Sequence, residues 1–264
     1  MGIAVPFLSK KEIETSAALL LVDFGGLRNG GSIKPPVPIE EVLEKHLRLT
    51  LDFDDLHGKL RIPRDGEEPE VLGALWAESG EVFIDESLDP DEHPEREGRY
   101  RFTLAHEVGH WCLHKDYLTS PAQQEADLFG HGHAPTVICR ASQAKEPIER
   151  QADLFAASLL MPEGWVRIIW RELFSRSNPM VFSAFRDSDS DWAKPPIGWR
   201  GLGPLAAPVA DAFDGRALEY FFYRASAPMA EAFDVSVQAM RFRLEQLGLL
   251  LIDNPRQQSL AFST

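Results

Sequence analysis

RFTLAHEVGHWCLH, residues 101–114, contains no helix breaker except Gly109 and predicts a helix from Arg99 to about Lys115. On such a helix His106 and His110 project from adjacent turns of one face, separated by about 6 Å of axial rise. Two imidazoles placed this way can converge on one ion. Glu107 lies beside them but cannot join as a third ligand of the same ion, and instead takes the position of a general base. The pattern points to a Zn2+ site that hydrolyses peptide bonds. An accidental match inside an ordinary amphipathic helix is the plain alternative, and the sequence on either side bears on it.

Upstream, VLGALWAES (71–79), a turn at Gly80 and EVFID (81–85) predict a hairpin. Leu47 to Phe53 alternates as another strand, so a small antiparallel sheet precedes the zinc helix. Zinc peptidases use an edge strand to hold substrate. Further upstream, Ser9 with Glu12 predicts a capped helix over 9–22, and Pro38 followed by IEEVLEKHL a second one. The acidic run 85–97 lacks the ordered spacing of a calcium loop and reads as a solvated loop.

Downstream, IERQADLFAASLLM (148–161) predicts a helix on which Glu149 and Asp153 form an i, i+4 pair. Glu149 is the candidate third ligand. Asp153, a turn later, can accept the free N–H of a ligand imidazole. Two solvated acids on an exposed helix face would be the reading if HEVGH were absent. His114 lies about 12 Å along the axis from His106, beyond the reach of bonds of about 2 Å, and reads as a helix-end or supporting histidine. Cys112 faces the other side of the helix and reads as a small buried hydrophobe. The connection 116–146 holds His131 and His133, next in line as ligands, and Cys139, which can occupy an open zinc position as a latency switch. A short helix near 123–128 is the only regular element expected there.

The segments 101–114 and 148–162 together resemble the ImmA/IrrE family of metallopeptidases. PPVPIEEV (35–42) and the hairpin ending in VFID are also similar to that family, so the likeness extends over about residues 10–175. It implies an α+β fold, a compact thermolysin-like zincin with the small sheet packed on the HExxH helix. It also implies zinc held by His106, His110 and Glu149, and Glu107 as catalytic acid and base. The implied substrate is a helix-turn-helix repressor of the XRE type, cut to release stress-response or mobile-element genes. The family commonly has Asn where this chain has Asp153; hydrogen-bonding capacity is kept.

The expected division is a peptidase domain over 1–175 and a helical C-terminal extension over 176–264, with a helix-turn-helix-like segment at 229–250. Between Arg216 and Arg256 five arginines face five acids, so that segment has no basic footprint. The net charge of −14 also repels phosphate backbones, and direct nucleic-acid binding is not expected. Two cysteines without CxxC spacing and no apolar run long enough for a signal or a membrane span place the chain in the cytoplasm. The sequence leaves oligomeric state open. A general peptide-trimming peptidase and a non-catalytic zinc sensor are the rival readings.

Overall fold

The structure, a computed structural model, describes residues 5–27, 32–63, 70–119, 135–140, 146–186 and 212–252. Two compact units divide the chain, residues 1–162 and 163–264. Helix 163–174, expected in the peptidase domain, groups with the second unit.

The first unit opens with α1 (Lys10–Leu27), capped as its sequence predicts: Ser9 Oγ accepts from the Glu12 amide while the Glu12 carboxylate accepts from the Ser9 amide. Next come α2 (Ile39–Glu41), which continues as a π-type segment Val42–His46, then β1 (Thr50–Asp54) and α3 (Leu56–Leu60). The hairpin is β2 (Val71–Trp76) and β3 (Glu81–Asp85), closed through Gly80 at φ +75°, where a residue with a Cβ is strained. Two 3-10 turns, Glu86–Leu88 and Pro94–Arg96, occupy the acidic stretch. Then follow α4 (Glu97–Leu118), β4 (Val137–Arg140) and α5 (Pro147–Leu160).

The sheet runs β1-β3-β2-β4 and corrects the expected antiparallel one. β1 pairs parallel with β3, whereas β2 is antiparallel to both β3 and β4. A parallel neighbour needs a crossover rather than a turn, and α3 supplies part of it. β4 was not expected at all.

Helix α4 is buried on most of its circumference because the sheet covers one side and α5 crosses another. At that crossing Gly109 lets the helices close in: a Cβ built there would lie 3.2 Å from Ala152 Cα and 3.3 Å from Phe155 Cβ. Arg101, itself buried, donates to the Val37 carbonyl, and Tyr100 donates to Glu40, tying the α2 segment to α4.

The second unit holds α6 (Glu163–Phe174), β5 (Met180–Val181), α7 (Phe182–Arg186), α8 (Ala212–Phe233), α9 (Val237–Gln246) and β6 (Leu250–Leu251). Its core includes the stacked rings of Phe182, Phe185, Phe221 and Phe222. The expected helix-turn-helix rhythm is α8 and α9 about Asp234, which adopts φ +52°. No described helix is long and apolar enough to cross a membrane.

Candidate metal centre

Helix α4 delivers His106 and His110 from successive turns, and α5, held against it at Gly109, delivers Glu149 and Asp153. All three candidate ligands are buried, and their ligating atoms lie within 4.8 Å of one another. His106 Nε2 is 2.9 Å from His110 Nε2 and 3.1 Å from Glu149 Oε2; His110 Nε2 is 3.4 Å from Glu149 Oε1. Tetrahedral bonds of the length zinc makes to nitrogen set such atoms about 3.3 Å apart.

Whether a cation fits can be settled by following the protons. Gln151 Nε2 donates to the Pro6 carbonyl at 3.0 Å, which turns its Oε1 toward His114 Nε2, also at 3.0 Å. That oxygen only accepts, so His114 Nε2 carries a proton. Burial lowers the pKa of His114 and keeps the ring neutral, leaving its Nδ1 to accept from His110 Nδ1 at 3.1 Å. Asp153 Oδ1 likewise accepts from His106 Nδ1 at 2.9 Å. Both imidazoles therefore turn bare Nε2 lone pairs toward the Glu149 carboxylate. Three acceptors facing one another in a buried space call for a positive charge between them.

The proton affinities of the cluster report the same demand. Burial is the largest influence on His106 and opposes its charging, yet Cys139, Asp153 and Glu149 together carry its pKa well above the usual value. Glu149 is held at about 2 because hydrogen bonds from His106 and His110 overcome its own burial. Burial depresses His110 to about 4, as a neutral ligand requires.

Glu107 is fully buried, and neither carboxylate oxygen has a hydrogen-bond partner among the described residues. Burial, helped by Glu149 and opposed by His106, pushes it up to about 8. Strand β2 passes directly over it: a Cβ on Gly73 would lie 2.7 Å from Glu107 Oε1 and 2.9 Å from Thr103 Cγ2. An unpaired carboxylate of this kind has room and motive to bind a proton-bearing reactant.

All five expected site residues thus meet in one place. His114, expected to be out of reach, does not join the ligand triangle but is buried and holds His110, and Gln151 behind it was missed. Cys112 is exposed, which corrects the buried reading. Cys139 on β4 comes within 4.8 Å of ligand atoms of both His106 and Glu107. His131, His133 and the short helix at 123–128 lie outside the described residues.

Residues 75–178 match the family model of the IrrE N-terminal-like domain, Peptidase_M78. The matched stretch carries α4, β4 and α5, hence every residue of the cluster except Gly73, and its family is one of metallopeptidases, as the resemblance implied. No curated protein matches the chain.

Proposed function

We propose that the protein is a zinc-dependent endopeptidase of the thermolysin-like zincin kind, and that it cuts a helix-turn-helix repressor of the XRE type. The observation that carries the peptidase reading is the convergence of three buried acceptors beside an unpartnered buried carboxylate. In this reading His106, His110 and Glu149 hold the ion. A zinc ion there supplies a Lewis acid that polarises the scissile carbonyl and acidifies water.

The chain's own residues do the rest. Glu107, desolvated and raised in proton affinity, takes a proton from the attacking water and returns it to the leaving amine. Asp153 and the His114–Gln151 pair fix the ligand rings with Nε2 toward the ion. β2, passing over Glu107 at Gly73, offers main-chain hydrogen bonds beside the base, on which an extended peptide can be aligned.

The repressor as substrate is supported by the likeness to the ImmA/IrrE family. The test is incubation of the zinc-loaded protein with the XRE-type repressor encoded beside it. A specific cut is expected, lost by at least about a hundredfold in Glu107→Gln while zinc content stays at wild-type level. Retained cleavage by that variant removes Glu107 from the mechanism. Degradation of casein with an intact repressor favours a general peptidase.

A further inference from the structure

Strand β4 and its cysteine are absorbed neither by the fold's core nor by the catalysis described above. β2 is the strand nearest Glu107, so its open edge is where a peptide strand brings a carbonyl to the base. Among the described residues that edge is taken by β4, antiparallel, with Cys139 paired to Gly73, the residue directly over Glu107. The strand is anchored beyond its end: Thr136 donates to the Leu75 carbonyl at 2.8 Å, and its Oγ1 accepts from the Ala77 amide at 2.9 Å.

The thiol faces inward. Cys139 is buried, and its Sγ stands within 4.8 Å of ligand atoms of His106 and of Glu107, whose own oxygens have no partner. A soft donor and an unsatisfied carboxylate therefore flank the one side of His106 left open by His110 and Glu149. Thiolate is a good zinc ligand, and Cys gives up its proton to solvent on binding.

We propose that Cys139 is a fourth ligand of the metal centre and that β4, lying where a substrate strand would lie, holds the peptidase latent until the strand is displaced. This rests on the metal-centre reading above and adds its regulation. Turnover then requires a competing strand or partner to lift β4 from β2, which breaks the sulfur–metal bond and frees the water position in one movement.

Cobalt substitution tests this without any substrate. The full chain loaded with cobalt(II) is expected to show a near-ultraviolet thiolate-to-cobalt charge-transfer band. Cys112→Ser retains the band; Cys139→Ala keeps one cobalt but loses it. Acetohydroxamate, a small metal-binding probe, should perturb the cobalt spectrum of Cys139→Ala at a concentration lower by about tenfold or more, since apparent affinity scales with the open fraction. Cobalt bound without the band, a band that survives Cys139→Ala, or equal acetohydroxamate affinities overturns the proposal while leaving the triad intact. If neither protein takes up cobalt, the metal-centre reading itself fails.

Discussion

Asp153 and Gln151 orient the two ligand imidazoles by different routes, one directly and one through His114, and each makes a separable prediction. Asp153 needs only an acceptor oxygen for His106 Nδ1, so Asp153→Asn should keep zinc affinity near wild type. Asp153→Ala should lose about 10- to 100-fold, as second-sphere changes at zinc commonly do. Gln151 works through its double role, donating to Pro6 and accepting from His114. Gln151→Leu leaves the proton on His114 free to move to Nδ1, where it opposes the proton of His110 Nδ1, and a loss of similar size is expected. Competition against a chromophoric chelator measures all three; an unchanged affinity in Gln151→Leu would show that the chain of bonds does not set the His110 tautomer. The ligand pairs were legible because i, i+4 spacing on a helix dictates a shared face. Gln151 was not, since at 100° per residue it lies about 200° round the helix from Glu149 and only the crossing of α4 and α5 brings it to His114.

Between elements, the approach of α4 to α5 decides whether Glu149 reaches the histidines, and Gly109 sets that approach. Ala in its place gains about 1 kcal/mol of helix propensity, but the added methyl presses on Ala152 backbone atoms that cannot rotate away. Overpacking of this sort costs about 1 to 3 kcal/mol, so Gly109→Ala should be destabilised by about 1 kcal/mol net in urea unfolding. Its zinc affinity should fall further than that loss implies, because α5 carries Glu149 outward. Unchanged zinc affinity would mean the interface absorbs the methyl without moving α5. Element type was readable where periodicity ran long, as in α4 and α5, and where Gly80 marked the hairpin. The sheet order was not. Nothing in Thr50–Asp54 says that it will pair with β3 rather than β2, and Val137–Arg140 is too short, among polar residues, to stand out from a loop.

Across the whole molecule, charge and the C-terminal helices bear on how a repressor-directed peptidase could influence DNA. A helix-turn-helix reader presents basic groups to phosphates and the start of its second helix to base edges. In α9 the two arginines are already committed: Arg243 is 1% exposed, and Arg241 lies 4.0 Å over the Phe222 ring while bonding Glu245. Freeing either would cost packing inside the second unit, and the net charge of −14 repels the duplex before contact. The helix pair thus has the rhythm of a reader with its cations turned to internal use. Fluorescence anisotropy with a duplex spanning the promoter of the neighbouring repressor gene should show no binding at micromolar protein in low salt, and no salt dependence. A protein neutralising several phosphates would instead bind tightly there and lose affinity steeply as salt rises. That second outcome would make α8 and α9 a DNA-binding module. The first leaves protein as the partner through which the chain acts, and directs the search for what lifts β4 toward the repressor itself.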